Sequence, residues 1–306
     1  MREKPASLQA TQNKSRIANV IILLSNRPTI AREAFSKNTY YRFLNSTKTN
    51  WLRFTTLLSK KIADRIESLT SDDRVNAFIV DDSLFSRTSC KRTELGAKVF
   101  DHCDMRYKKG FRLMTLCWTD GNTNLPVNSC LLSSTDPKKV LGDQRGYDGR
   151  FLAGQRRNLA RTKGTKVMIE LIKKALSADF KADYVLFDTW FSAPAQLIDI
   201  KALGLDAIAM IKKSSKIRYL YEGKKLSINK IFGICKKRRG SSKYLLSVKV
   251  EIEKNGTRIP TRIVCVRNRN NKKDWIAFIC TNPDLSAEEI IRVYGKRWQI
   301  ELLFKP

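Results

Sequence analysis

Histidine is almost missing from this chain: His102 is the single copy in 306 residues. Zinc sites built from imidazole, and triads that turn on a histidine base, therefore have almost no material. Cysteine occurs seven times, but no two copies fall in a C-x-x-C pair and the count is odd. That excludes a paired disulfide framework and reads as reduced thiols in a cytoplasmic protein. Negative charge is scarce, with 29 Asp and Glu against 59 Lys and Arg. Long apolar runs are missing too; none approaches the roughly eighteen residues that a membrane span needs. Ile17–Leu24 is apolar but short, and no small-residue cleavage site follows it. It reads as a core helix, not a signal peptide.

What is present is a net charge of +30. Such an excess is a statement about partners: it favours nucleic acid or another polyanion. The length permits one large domain or a few small ones, with a sizeable core. Residues 1–74 read as an N-terminal helical domain that contacts DNA, with aromatic and basic residues interleaved around Tyr40–Phe43 and Phe54–Ile66. Four apolar residues then run into paired carboxylates in Ala77-Phe-Ile-Val-Asp-Asp-Ser83, a strand ending in acid. Phe111–Trp118 and Leu125–Leu132 read as two more strands, joined by the turn signal Asp120-Gly-Asn-Thr. A basic loop is expected over Ser134–Lys166, then a helix over Thr165–Ala178. Tyr184-Val-Leu-Phe-Asp188 is a second apolar strand that ends in Asp. A helix over Ala193–Leu203 and a strand over Asp206–Ile211 follow. Residues 212–274 are dense in Lys and Arg. They read as a β-rich insertion whose strands, Tyr244–Glu253 and Arg258–Arg267, flank the hairpin dipeptide Asn255-Gly256. Trp275–Thr281 returns to a buried strand.

The last stretch, Ser286–Lys305, reads as one amphipathic helix. Ser286 is a good N-cap, and Glu289 has capping-box spacing from it. Tyr294, Arg297 and Glu301 are three and then four positions apart, so they project from one face. An exposed i,i+4 ion pair is the ordinary reading of Arg297 and Glu301. The rest of the chain argues for more. Carboxylates at the ends of two apolar strands and a glutamate on a late helix form an oxygen-rich set. It suits hard cations, two Mg²⁺ or Mn²⁺, rather than zinc. Two such ions clamp the attacking and leaving oxygens of an in-line phosphoryl displacement.

Those motifs resemble the bacterial DDE transposases of the insertion-sequence-four family, over roughly residues 75–305. Tyr294-Gly-Lys-Arg297-Trp-Gln-Ile-Glu301 matches the first three members of that family's Y-x2-R-x3-E-x6-K signature. Ile79-Val-Asp-Asp-Ser83 resembles its first-Asp motif, and Leu186-Phe-Asp188-Thr-Trp-Phe-Ser192 its second. The resemblance implies an α/β fold: a ribonuclease H-like mixed sheet flanked by helices (75–306), interrupted by the insertion at about 212–274. It implies cut-and-paste transposition, with metal-dependent cleavage at element ends and strand transfer to target DNA. Asp82, Asp188 and Glu301 become the catalytic metal ligands, Asp82 being favoured over Asp81 by the serine that follows it. Tyr294 and Arg297 position the phosphate, and Trp275 stacks with a flipped base, unless Trp275 is a plain core residue. The implied partners are double-stranded DNA, both terminal inverted repeats and target, and a second copy in a synaptic homodimer. The implied location is the cytoplasm, at the nucleoid. The signature lysine would fall at position 308, past Pro306, so a C-terminally truncated chain is expected. Two alternatives follow: an inactive DNA-binding remnant, or a ribonuclease H-like nuclease.

Overall fold

The computed structural model describes residues 36–71, 74–101, 104–134, 136–142, 148–271 and 273–304. The Ile17–Leu24 stretch and His102 lie outside the described residues. The chain divides into two compact units, Met1–Thr49 and Asn50–Pro306. In the first, helix α1 (Lys37–Leu44) starts at Ser36, whose hydroxyl accepts from Thr39 N (3.3 Å).

The second unit opens with helix α2 (Trp51–Glu67), followed by strands β1 (Ala77–Ser86), β2 (Ala97–Asp101), β3 (Arg106–Thr119) and β4 (Asn124–Leu132). Next come α3 (Leu152–Ala160), α4 (Gly164–Leu176), β5 (Tyr184–Phe187), α5 (Pro194–Lys201) and β6 (Asp206–Ile211). The basic region holds β7 (Tyr219–Tyr221), β8 (Lys224–Leu226), α6 (Ile228–Ile234), β9 (Leu246–Lys254) and β10 (Thr257–Arg267). The unit ends with β11 (Trp275–Cys280), α7 (Ala287–Gly295), a 3₁₀ turn (Lys296–Trp298) and α8 (Gln299–Phe304).

All eleven strands share one mixed sheet, ordered β2-β3-β1-β5-β6-β11-β10-β9-β7-β8, with β4 also on β3. Helices flank this sheet, as expected for a ribonuclease H-like fold. β1, β5 and β6 are parallel neighbours, and the other pairings are antiparallel. The insertion does not form a separate sheet: β10 pairs with β11, so β7–β10 prolong the sheet that holds the acidic strand ends. Its hairpin follows from Asn255 and Gly256, at φ 48° and 81°, the doubly positive geometry that such a dipeptide favours. No helix among the described residues is long and apolar enough to cross a membrane.

β1 and β5 are covered on both faces, which is why they read as unbroken apolar runs rather than as alternation. Phe78, Val80, Val185 and Phe187 enter a core with Val167 and Leu171 of α4. Ala77, Ile79 and Leu186 enter a second core with Ile290, Val293 and Tyr294 of α7 and with Ile300. Ile290 and Val293 are fully buried, and each ties α7 to the sheet by roughly 1.5–3 kcal/mol relative to exposure.

Two expectations change. The presumed loop over Ser134–Lys166 contains α3, whose small residues Ala153, Gly154 and Ala160 are buried beneath a polar exterior. A helix that docks through alanine and glycine shows little apolar periodicity. The helix expected over Ser286–Lys305 is interrupted by the 3₁₀ turn at Lys296–Trp298. Its N-cap forms, with Ser286 Oγ accepting from Glu289 N (3.1 Å), but the Glu289 carboxylate pairs with Arg292 Nε (2.7 Å). The reciprocal half of the capping box is therefore spent elsewhere.

Candidate active site

The site grows from strand register. β1 and β5 pair in parallel with Ile79 opposite Leu186. Two residues further along each strand stand Asp81 and Asp188, past the apolar ends. The parallel pairing stops there while β1 runs on against β3 to Ser86, and the carboxyl end of a parallel pair is where open α/β sheets place their ligands. Because successive side chains alternate, Asp81 shares the α7 face with Ala77 and Ile79. Asp82 takes the opposite face, with Phe78 and Val80.

Arg297 meets Asp81 there. Its Nη1 lies 3.9 Å from Asp81 Oδ2, and its Nη2 donates to Glu301 Oε1 at 3.3 Å. Its side chain is only 7% exposed. The guanidinium lies 4.6 Å from the Trp298 ring centroid and 5.9 Å from that of Tyr294. Tyr294 is itself buried and packs on Phe278, with centroids 4.4 Å apart. Neither Arg297 Nε nor the Tyr294 hydroxyl, both buried, makes a hydrogen bond of good geometry.

The electrostatics are strained. Burial pushes the Asp81 carboxyl up to about 6, opposed first by Arg297 and then by the Asp82 amide, while the charges of Asp188 and Asp82 raise it further. The amide bond is direct, Asp82 N to Asp81 Oδ1 at 2.9 Å. Tyr294 is pushed up to about 12, chiefly by burial, with Arg297 opposing and the Asp188 charge adding to the rise. Asp188 accepts from Trp190 N (2.9 Å). Asp81, Asp188, Tyr294, Arg297 and Glu301 thus form one cluster.

Two expected site residues stand apart from that cluster. Asp82, assigned from sequence as the first ligand, makes an ion pair with Arg112 Nε at 3.0 Å on the other face of β1. Arg112 lies 5.9 Å from the Trp190 ring centroid, and Lys212 Nζ lies 4.1 Å from it. Trp275 is half-buried and stacks on Phe232 at 4.2 Å and 13°, with Lys213 Nζ 4.8 Å from its centroid. Its ring is committed to the insertion's own helix. Two exposed tryptophans stand beside the carboxylates, Trp298 next to Arg297 and Trp190, whose amide donates to Asp188; sequence reasoning gave neither a role.

Beside Tyr294 and Trp298 opens a cleft of about 670 Å³, rimmed by Lys243, Arg267 and Arg269 and floored by Phe278. As the side chains lie, no three His, Cys, Asp or Glu groups among the described residues close around an ion; Arg297 stands between Asp81 and Glu301. The chemistry of the donors still fits a hard divalent cation. They are carboxylate oxygens, and the buried Asp81 lacks enough positive charge to hold its pKa down.

A family model described as DDE superfamily endonuclease matches residues 23–224. Another, described as transposase DDE domain, matches residues 146–305. Each spans more than half of the chain, and the chain belongs to the DDE transposases and endonucleases. No curated protein matches it.

Proposed function

We propose that the chain is a cut-and-paste transposase of the insertion-sequence-four type, acting on DNA through divalent metal. The observation that carries this reading is the meeting of Asp81 with Arg297 and Glu301, beside Asp188. Asp81 takes the place first given to Asp82, because only Asp81 faces the helix that bears the other two. Asp81, Asp188 and Glu301 would hold Mg²⁺ or Mn²⁺. Two bound ions would supply positive charge to the attacking and leaving oxygens.

The chain's own groups do the rest. Arg297 has a rigid fork of donors that matches phosphate oxygens. Tyr294 offers a hydroxyl beside it. Trp298, rather than Trp275, supplies the aromatic surface at the rim. Cleavage joins a water oxygen to phosphorus and releases the 3′-oxygen, which leaves as a hydroxyl. Transfer joins that hydroxyl to a target phosphate and releases the target's own 3′-oxygen. A homodimer would hold two element ends together. The +30 charge would grip the duplex: for six to ten phosphate contacts, affinity should fall on the order of 10³–10⁵-fold from about 50 to 200 mM salt. A nearly flat titration would deny that footprint.

The test uses a supercoiled plasmid carrying the genomic DNA that flanks the reading frame. Mn²⁺-dependent nicking at the flank boundaries, lost in Asp188→Asn and Glu301→Gln, is the expected result. Joining of the freed ends to a second plasmid distinguishes a transposase from a nuclease on the same fold. Retarded plasmid without nicking at any metal concentration would reduce the chain to a DNA-binding protein.

A further inference from the structure

The helix that carries Tyr294, Arg297 and Glu301 is not continuous, and the interruption is pinned in place. At the 3₁₀ turn, Lys296 Nζ reaches back to donate to Val75 O (3.1 Å), just ahead of β1. The next anchor is Gln299. Its Oε1 accepts from Thr119 Oγ1 (2.7 Å), its Nε2 donates to Gly121 O (2.8 Å), and its backbone carbonyl accepts from Asn124 Nδ2 (2.9 Å). The amide is thus satisfied at both ends by the β3–β4 turn.

That turn is itself rigid. Gly121 N donates to Thr119 Oγ1 (3.0 Å), and the Asp120 carboxylate accepts from Asn122 N and Thr123 N while pairing with Arg74. Gly121 sits at φ +99°, and a Cβ there would come within 2.5 Å of Lys296 Nζ. The Lys296 side chain therefore lies directly over Gly121. Thr119 is fully buried, so its hydroxyl has a reason to be there only if it is bonded.

A 3₁₀ stretch inside a helix winds more tightly than the turns around it, and such stretches mark functional sites. Here it separates Tyr294, on α7, from Glu301, on α8, and Arg297 lies within it. We propose that Gln299 is a positioning residue: through Thr119 and Gly121 it sets where Arg297 and Glu301 stand relative to Asp81. This inference rests on the carboxylate reading of the site, and neither family description assigns a role to Gln299.

The experiment measures Mn²⁺ affinity of the full chain by titration calorimetry, in wild type, Glu301→Gln, Gln299→Ala, Thr119→Ala and Thr119→Ser, with far-UV circular dichroism confirming the fold. Removing a residue that orients a metal ligand typically costs about 10–100-fold in affinity, and Gln299→Ala should fall in that range. Thr119→Ala should follow it, and Thr119→Ser, which keeps the hydroxyl, should recover to within about threefold of wild type. Should Gln299→Ala fail to fold, the two threonine variants carry the test by the same difference. Folded Gln299→Ala or Thr119→Ala at wild-type affinity, with Glu301→Gln impaired, would overturn the positioning role alone. Wild-type affinity in Glu301→Gln would overturn the carboxylate reading, and this inference with it.

Discussion

Adjacent residues on one strand each meet an arginine, and the two pairs are built differently. On one face of β1, Asp82 and Arg112 approach to 3.0 Å at a partly exposed position. Arg112 also donates to Phe100 O (3.4 Å), which completes a cross-strand tie. On the other face, Asp81 and Arg297 stand 3.9 Å apart, and the arginine divides itself between Asp81 and Glu301. It is nearly buried, and its Nε lacks a good partner. The Asp82 side chain is no more exposed than that of Asp81 (11% and 20%), so the two pairs differ in geometry and in the burial of the arginine, not in that of the carboxylate. A buried arginine shared at 3.3 and 3.9 Å by two carboxylates is poor as stabilising structure and well suited to an anionic substrate. On the proposed reading, that difference assigns Asp81 rather than Asp82 to the site, although the two are neighbours in sequence.

The sharpest way to break that contrast is to neutralise each carboxylate in turn. Asp81→Asn should lower the Mn²⁺-dependent nicking rate on the order of 10⁴-fold, the scale of several kcal/mol of lost transition-state stabilisation. Asp82→Asn should stay within about tenfold, because Asp82 faces away from Arg297 and Glu301 and pairs with Arg112 instead. Single-turnover nicking of labelled flank DNA measures both. The reverse ranking would return the first-ligand role to Asp82.

The arginines give a smaller contrast. Arg297→Lys keeps the charge but loses the fork, and cleavage should drop about 10²-fold with the fold retained. Arg112→Lys should change cleavage by less than about threefold, since an ammonium can still pair with Asp82. Near-normal cleavage by Arg297→Lys would remove that residue from the site.

Much of this arrangement was legible in the residues, and the limits have physical causes. The apolar runs that lead into acid, the Asn255-Gly256 hairpin and the spacing of Tyr294, Arg297 and Glu301 were legible, but β1 does not end at its carboxylates: it runs on through Asp81 and Asp82 to Ser86, paired with β3. The choice between Asp81 and Asp82 was not legible. In a strand buried on both faces, Phe78 and Ile79 are equally apolar, so alternation carries no signal until the partner strand is known. Pairing of Ile79 with Leu186 supplies it. Trp275 depends on tertiary context in the same way: a strand-start position does not choose between a base-stacking and a core tryptophan, and Phe232, more than forty residues earlier, is stacked upon it only in the fold. The 3₁₀ turn was hidden because its anchors, Val75 and the β3–β4 turn, are distant in sequence.

The smallest effect is the most discriminating, because it reads the two faces without any DNA. Asp81 has a folded-state pKa raised from 3.8 to about 6, so between those values the native chain holds its proton more tightly than the unfolded chain does. Asp81 therefore costs nothing below about pH 3.8. Its penalty grows as pH rises through about 6 and is complete above it, at about 3 kcal/mol for a shift of this size. Removing the charge should relieve the penalty. Asp81→Asn is expected to melt a few degrees above wild type at pH 8, with the gain shrinking towards zero near pH 4. Asp82→Asn loses an ion pair instead, so it should melt at or slightly below wild type at pH 8. Thermal melts of both variants across that range, in buffer containing a chelator, measure the difference. A variant at position 81 that is stabilised but inactive would mark a carboxylate kept against the interest of the fold. Equal melting shifts for the two variants would mean that the faces of β1 do not differ in the way their geometry indicates.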